Sequence, residues 1–203
     1  GRHGSGCREG GNPEPRSPNP DPLLFVEVLL NVVFDLGGVL LTWDPSSIVS
    51  DFFDDPAAQQ LVLEQVFNQP DWLDLDRGTL DPAEAVDRWT GRTGLPREDM
   101  ARLMSRVPHA LVPIEDTLAL LPRLKQTCQH LYCLSNMHLA SIHHLERTYP
   151  FFDLFEGTVV SARIHMVKPE PGIYRYLLDT CSLAPEETVF IDDMDYNCAA
   201  ANK

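Results

Sequence analysis

The chain has 203 residues, with 16 basic and 30 acidic side chains and a formal net charge of −14. This length suits one domain of ordinary size, or a core with a small insert, and 43% hydrophobic residues suffice to bury a core. The surplus of acid disfavours a nucleic-acid partner, because phosphate backbones attract clusters of Lys and Arg. It leaves small anionic substrates open, since a bound metal ion can reverse the local field.

The five cysteines include no Cys-x-x-Cys pair. This favours reduced thiols in a cytoplasmic protein over a disulfide framework or a zinc site. The longest apolar stretch, residues 23–34, is interrupted by Glu27 and Asn31 and is too short to span a bilayer. No small-residue cleavage site of a signal peptide follows it. We therefore expect a soluble protein with no membrane partner, while its oligomeric state is left open.

The first 22 residues differ from the rest in composition. Five Pro and five Gly occur among them, with almost no apolar side chains. Such a segment cannot recover its ordering entropy by burial, so residues 1–22 are predicted to be flexible.

Short apolar runs then alternate with helical patterns. This alternation is typical of an α/β fold whose Rossmann-like parallel sheet is covered by helices. The predicted strands are Val28–Phe34, His130–Leu134, Phe155–Val160 and Thr188–Ile191, and the predicted helices of this part are Ile114–Thr127, Leu139–Thr148 and Pro171–Cys181.

Residues 44–112 contain no strand-like run. They carry Asp-Pro pairs beginning at positions 44, 55 and 81, and Asp as N-cap before Pro at the first helical position favours the start of a helix. We therefore predict a helical insert at 44–112, with residues 23–43 and 113–203 forming the core.

Polar groups end the predicted strands. In parallel α/β sheets, ligands bind beyond the carboxyl ends of the strands, so these groups should share one crevice. A carboxylate can attack phosphorus, Mg²⁺ prefers carboxylate and phosphate oxygens, and hydroxyl and ammonium groups can hold the transferring phosphoryl oxygens. The groups are Asp35 after the first strand, Ser135 and Asn136 after the second, Lys168 before the last helix that leads to a strand, and Asp192 and Asp193 after the fourth.

This set resembles the haloacid dehalogenase superfamily, in its subfamily with a small helical cap inserted after the first strand. The matching motifs are Val33–Leu40, Leu134–Asn136, Lys168–Pro169 and Phe190–Asp193 with Asn197. The resemblance implies a Mg²⁺-dependent phosphatase that forms an aspartyl-phosphate. It implies catalytic roles for Asp35, Ser135 and Lys168, substrate binding by Ser135, Asn136 and Lys168, and metal binding by Asp35, the Gly37 carbonyl and Asp193.

The segment Trp72…Asp76-Arg77-Gly78 most resembles the branch with α-D-glucose-1-phosphate phosphatases and the N-terminal phosphatase domain of epoxide hydrolases. This implies a small phosphomonoester as substrate, such as a sugar phosphate. Asp193 is favoured over Asp192 as the metal ligand. Two rival hypotheses remain, a dehalogenase that breaks a carbon–halide bond and an impaired relative with an interaction role.

Two departures from the family pattern stand out. The family's phosphatases usually carry an acid two residues after the nucleophile, where this chain has Gly37. This predicts slow turnover, a substrate with a good leaving group, or an acid from elsewhere, for which Asp44, Asp74 and Asp76 are the nearest candidates. The family also continues with a further strand beyond Lys203, so we expect that strand to be missing and the predicted strand at 188–191 to be an edge.

Overall fold

The computed structural model describes residues 30–127 and 130–203. The predicted flexible segment 1–22 and the first two positions of the strand predicted at 28–34 lie outside the described residues.

The described strands form one parallel sheet in the order β3-β2-β1-β4. This confirms the predicted α/β class with a Rossmann-like parallel sheet. The first three begin later in the chain than predicted, and β2 also includes Ser135. The strands are β1 (Asn31–Phe34), β2 (Leu131–Ser135), β3 (Gly157–Val160) and β4 (Thr188–Ile191).

The strand register brings the carboxyl ends of β1, β2 and β4 level. Phe34 pairs with Cys133 on one side and with Ile191 on the other. The backbone N–H of Asp35 then donates to the Ile191 carbonyl at 2.9 Å. The residues that follow these three strands therefore lie together at the carboxyl end of the sheet. Among the described residues, β4 is an edge strand.

Both faces of the sheet are apolar because helices cover them. Val32 and Phe34 pack into one cluster with Leu131 and Cys133, whereas Val33 packs into another on the opposite face. All four residues of β1 are buried. Alternate side chains of one strand thus enter different cores, as expected for a sheet buried on both sides.

The segment between β1 and β2 is helical, as its Asp-Pro pairs predict. The side chains of Asp44, Asp55 and Asp81 each accept two backbone N–H groups at the start of a helix, with Pro at the next position. The segment has an apolar cluster of its own around Trp89, Met100 and other residues. Its helices are α1 (Pro45–Ser50), α2 (Pro56–Val62), a π-helical turn (Leu63–Phe67), α3 (Pro70–Arg77), α4 (Pro82–Thr93) and α5 (Arg97–Ala110).

The helical pattern predicted over 114–127 forms two helices that divide next to Pro122, a residue that disfavours a continuous helix. The chain forms α6 (Glu115–Leu118) and α7 (Leu121–Thr127), because Pro122 fits the first turn of a helix, where no N–H is needed, and not its interior. Two other predicted helices keep their bounds, as α8 (Leu139–Thr148) and α10 (Pro171–Cys181). The remaining helices are α9 (Ser161–Ile164) and α11 (Asp195–Ala201).

No helix within residues 30–127 and 130–203 combines the length and the apolar character needed to cross a bilayer.

Candidate active site

A cavity of about 280 Å³ lies at the carboxyl ends of β1 and β2, where the helical segment faces the sheet. It is lined by all six residues predicted to act in catalysis or to bind substrate or metal, whereas Asp192 and the candidate acids Asp44 and Asp74 are not part of its lining. One part of its wall is polar and comes from the strand ends, and the other part is mostly apolar and comes largely from the helical segment. The lining includes Asp35, Gly37, Trp43, Trp72, Leu73, Asp76, Val107, Leu111, Ser135, Asn136, Met137, His138, Lys168, Asp193, Met194, Tyr196 and Asn197.

Asp35 follows β1 and is 8% exposed. Its Oδ1 accepts the backbone N–H of Leu36 at 2.7 Å and lies 2.8 Å from Nζ of Lys168. Burial raises the pKa of Asp35 to about 6, against the opposing effect of Lys168. Two donors therefore converge on Oδ1 and hold the carboxylate in a fixed orientation.

Lys168 is 2% exposed and lies between two carboxylates. Its Nζ is 2.8 Å from Oδ1 of Asp35 and 2.6 Å from Oδ2 of Asp192. Burial alone would lower the pKa of Lys168, but the two carboxylates more than offset it and the pKa lies above its ordinary value. The ammonium group is therefore a fixed positive charge beside the nucleophile candidate.

Asp192 is held from several sides. Asn197 donates to both of its carboxylate oxygens at 2.9 and 3.1 Å, and the backbone N–H of Met194 donates to Oδ1 at 2.9 Å. Its side chain is fully buried. The carboxylate of Asp192 therefore contacts Lys168, Asn197 and the backbone of Met194. This favours Asp193 over Asp192 as the metal ligand, which stays a prediction.

The carboxylates fit a divalent cation. One oxygen each from Asp35, Asp192 and Asp193 lies within 4.8 Å of the others. Three carboxylates and one ammonium group leave a negative excess, and hard oxygen donors are what Mg²⁺ prefers. The Gly37 backbone lines the same cavity. Convergence of these acidic groups, expected from the strand ends, is therefore present.

Gly38 makes the approach of Asp193 possible. Its φ is +74°, and a Cβ atom built on it would lie 2.3 Å from Oδ2 of Asp193. Any side chain here would displace that carboxylate, and the backbone conformation is one that glycine tolerates best. Burial and the neighbouring Asp192 raise the pKa of Asp193.

Ser135 and Asn136 follow β2 and serve different contacts. Ser135 is buried at the end of the strand and lines the cavity. The Asn136 side chain accepts the Lys168 N–H at 2.8 Å and donates to the Lys168 carbonyl at 2.9 Å. Asn136 therefore fixes the loop of the lysine, and its direct contact with a substrate stays a prediction.

Of the three candidate acids in the helical segment, only one lines the cavity. Asp44 is exposed and its carboxylate caps α1. Asp74 does not line the cavity, whereas Asp76 does. Burial raises the pKa of Asp76 to about 7, and the charge of Asp35 adds to this while Lys168 opposes it.

Sequence reasoning missed most of the apolar wall. Trp43, Val107 and Met137 come from three separate parts of the chain, and no local pattern marks them as neighbours. Trp72 packs in the apolar cluster of the helical segment and also lines the cavity. His138 is buried, with a pKa lowered by burial to about 4, and accepts the Ser141 N–H.

Two curated proteins are similar in sequence to this chain. The sesquiterpene phosphatase astK of Aspergillus oryzae is 30% identical over 169 residues, which are 83% of this chain and 83% of that protein. A shorter match, 45% identical over 47 residues, is found with mouse bifunctional epoxide hydrolase 2, covering 23% of this chain and 8% of that protein.

Solved structures share the fold. The enzyme bt-2542 of Bacteroides thetaiotaomicron, in complex with magnesium and inorganic phosphate, has a TM-score of 0.69 and 28% identity, covering 86% of this chain and 89% of that one. A family model of the haloacid dehalogenase-like hydrolases matches residues 30–203. From residue 30 onward, this chain belongs to the haloacid dehalogenase-like hydrolases.

Proposed function

We propose that the chain is a Mg²⁺-dependent phosphatase that hydrolyses a small phosphomonoester through an aspartyl-phosphate on Asp35. The observation that carries this proposal is the buried pair of Asp35 and Lys168 beside the carboxylate of Asp193. A buried carboxylate with a fixed orientation is suited to attack on phosphorus, and the nearby ammonium group is suited to hold the negative oxygens.

Asp35 is the nucleophile in this proposal. Leu36 and Lys168 both contact Oδ1, which leaves Oδ2 as the atom that attacks. The two donors restrict rotation of the carboxylate before the substrate arrives. Such positioning supplies much of the rate in phosphoryl transfer, where little other covalent chemistry is needed.

Ser135 and Lys168 would bind the phosphoryl oxygens. The Ser135 hydroxyl lies at the end of β2 in the cavity wall, beside the loop that Asn136 ties to Lys168. Asp35, the Gly37 carbonyl and Asp193 would hold Mg²⁺, which when bound supplies neutralisation of the phosphate charge. Asp192 and Asn197 keep Lys168 in place through their hydrogen bonds.

The helical segment 44–112 would act as the cap. It contributes Trp72, Leu73 and Val107 to the cavity wall beside Trp43, so the organic group of the ester would lie against indole and aliphatic surface. Two of the polar residues in this part of the lining, His138 and Ser141, hydrogen-bond each other, which leaves Asp76 and Tyr196 for the hydroxyls of a sugar. This favours an apolar ester over a sugar phosphate, in line with the relative whose name gives a sesquiterpene phosphatase.

A dehalogenase remains the second hypothesis, because it would use the same aspartate as nucleophile. It would need no metal ion, and the carboxylate cluster of Asp35, Asp192 and Asp193 favours the phosphatase.

The first test is phosphate release with Mg²⁺ from p-nitrophenyl phosphate, long-chain alkyl phosphates and sugar phosphates. We expect activity in the wild type, loss of at least about 10³-fold in Asp35→Asn because the nucleophile is gone, and loss with EDTA. Asp179→Asn is the matched control, since Asp179 is exposed on α10.

Equal rates for Asp35→Asn and wild type would overturn the proposal. Halide release from 2-haloacids that persists in EDTA would favour the dehalogenase. Sugar phosphates preferred over alkyl phosphates would overturn the assignment of an apolar ester.

A further inference from the structure

The proposed reaction needs a proton donor, and the loop after β1 does not supply one. Cleavage of the ester bond leaves an alkoxide, which is a poor leaving group unless it is protonated as the bond breaks. Gly37, two residues after Asp35, has no side chain to give that proton. The donor must therefore be sought elsewhere in the cavity wall.

Asp76 faces the same cavity from the opposite side. It lies four residues after Trp72 on α3, and both side chains line the cavity together with Leu73. Residues spaced in this way share one face of a helix. The carboxyl group of Asp76 is thus on the apolar wall, where the organic part of the ester and its bridging oxygen would lie.

Backbone contacts fix the end of α3 to the core. The Ser161 hydroxyl, at the start of α9, donates to the Asp76 carbonyl. Gly78 ends the helix with φ +75°, and a Cβ atom there would lie 2.6 Å from the Ala162 carbonyl oxygen. The backbone at Asp76 is therefore held against α9, the short helix that directly follows β3.

An ion pair adds to this attachment. The Arg77 guanidinium donates to both carboxylate oxygens of Glu170 at 2.8 and 2.7 Å, and Nδ1 of His165 lies 3.0 Å from the Arg77 carbonyl. Arg77 is adjacent to Asp76, yet its charge is directed away to Glu170. A pre-positioned backbone is what a proton donor requires to reach one atom of a bound ester.

The surroundings of Asp76 suit a carboxyl group that exchanges protons. Among the described residues it has no salt-bridge partner. Its carboxylate accepts the backbone N–H of His138, which opposes the effect of burial on its pKa, and the charges of Asp35 and Lys168 have smaller effects of opposite sign. Burial and the charge of Asp35 favour the protonated form of Asp76 at neutral pH, consistent with its raised pKa.

We propose that Asp76 is the general acid and base of this enzyme, in place of the side chain absent at Gly37. As Oδ2 of Asp35 bonds to phosphorus and the ester P–O bond breaks, the Asp76 carboxyl gives its proton to the leaving oxygen and the alcohol departs. The Asp76 carboxylate then takes a proton from water, whose oxygen attacks phosphorus. The Asp35–phosphorus bond breaks, inorganic phosphate forms, and both aspartates return to their first state.

This inference rests on the proposed phosphatase function, and the test separates the two. Asp76→Asn keeps the shape of the side chain and removes its proton. For an alkyl phosphate, which needs protonation of its alcohol, we expect kcat to fall by about 10²–10⁴-fold. For p-nitrophenyl phosphate, whose phenolate leaves unaided, we expect a burst of p-nitrophenolate near the wild-type rate followed by slow turnover.

The slow phase has its own signature. Without a base for water, the phosphorylated Asp35 should accumulate, and hydroxylamine should trap it in Asp76→Asn more than in the wild type. Asp74→Asn is the matched control on the same helix, because its side chain does not line the cavity. We expect this control to behave as wild type with both esters.

Each result decides one claim. An Asp76→Asn enzyme with alkyl phosphatase activity within twofold of wild type overturns the role of Asp76, as does an equal loss of burst and alkyl turnover. A wild type that releases no phosphate overturns the phosphatase itself. Asp76→Glu keeps a carboxyl group and provides a second test if Asp76→Asn does not fold. We expect it to retain part of the activity on alkyl phosphates, and a total loss would overturn the proposal.

Discussion

Asp35 and Asp76 are two carboxyl groups with raised pKa values and different neighbours. Asp35 has Lys168 at 2.8 Å, which limits the rise of its pKa to about 6. Asp76 has no such contact, and its pKa reaches about 7. A carboxylate paired with a fixed cation suits the proposed nucleophilic attack, and a carboxyl group with a raised pKa suits the proposed proton transfer.

The pKa of Asp76 predicts how stability varies with pH. A carboxyl whose pKa is higher in the folded state than its ordinary value of 3.8 stabilises the fold below that ordinary value, and this contribution is lost as the pH rises towards 7. Asp76→Asn is neutral at every pH and escapes the loss. We therefore expect the free energy of unfolding of Asp76→Asn to rise relative to that of the wild type between pH 5 and 8. Urea denaturation in EDTA measures this difference.

Asp74→Asn again provides the comparison. A pH-dependent gain of the same size in Asp74→Asn would show a general effect of removing an acid from α3. A constant difference between Asp76→Asn and wild type would show that Asp76 is not the group that titrates.

At the scale of elements, α3 is the helix that connects the two halves of the site. It packs against α9, and at its end a Cβ atom on Gly78 would lie 2.6 Å from the Ala162 carbonyl oxygen. The position of Asp76 therefore depends on a left-handed glycine as much as on the helix itself.

Three glycines separate the contributions of strain and contact. Gly91 lies inside α4, with φ in the ordinary range and open space around the position of a Cβ atom. Gly94 has φ +70° and open space around that position. Gly78 has positive φ, and a Cβ atom there would lie 2.6 Å from the Ala162 carbonyl oxygen. We expect Gly91→Ala to stabilise by about 0.5–1 kcal/mol, Gly94→Ala to destabilise by about 1 kcal/mol, and Gly78→Ala to destabilise by more, about 2–3 kcal/mol.

Thermal and urea denaturation of the three variants measure these values. Only Gly78→Ala should also lower phosphatase activity, because it moves the end of α3. If Gly78→Ala were no worse than Gly94→Ala, the contact with the Ala162 carbonyl would not hold the helix.

The sequence predicts the elements that carry strong local signals. Asp-Pro pairs predict three helix starts, and Asp35, Asp192 and Asp193 follow apolar runs whose parallel pairing brings them together. Glu84 lies three residues after Asp81, the spacing of a reciprocal capping box, yet its carboxylate accepts a hydrogen bond from Arg88. Competing partners of this kind are invisible in the sequence.

The cavity wall is a property of tertiary packing, which local patterns do not encode. The ring centroids of Trp43 and Trp72 lie 5.6 Å apart, although the two residues are 29 positions apart in the sequence. Motif reasoning finds the residues that perform chemistry, because their types are restricted. Residues that shape the substrate pocket have few such restrictions.

For the whole molecule, the cation site joins distant parts of the chain. Its carboxylates come from Asp35 and from the loop of Asp192 and Asp193, which only the folded sheet brings within 4.8 Å. Mg²⁺ should therefore bind the folded protein and not the unfolded chain, and ligands of that kind raise Tm by mass action.

We expect Mg²⁺ at about 100 times its Kd to stabilise the fold by about 2.7 kcal/mol. Asp193→Asn should abolish the rise in Tm, whereas Asp195→Asn should retain it, since Asp195 is exposed and outside the carboxylate cluster. Differential scanning fluorimetry with and without Mg²⁺ measures both. A full Tm rise in Asp193→Asn would argue against this site.

One hydroxyl group joins the two sides of the cavity. Ser161 Oγ accepts the Met137 N–H at 2.8 Å and donates to the Asp76 carbonyl, so it bridges the loop after Ser135 and the end of α3. The two sides cannot separate without breaking one of these bonds. Under the proposed function, opening the cavity at this point would therefore disturb the loop after Ser135, beside which the phosphate is expected to bind.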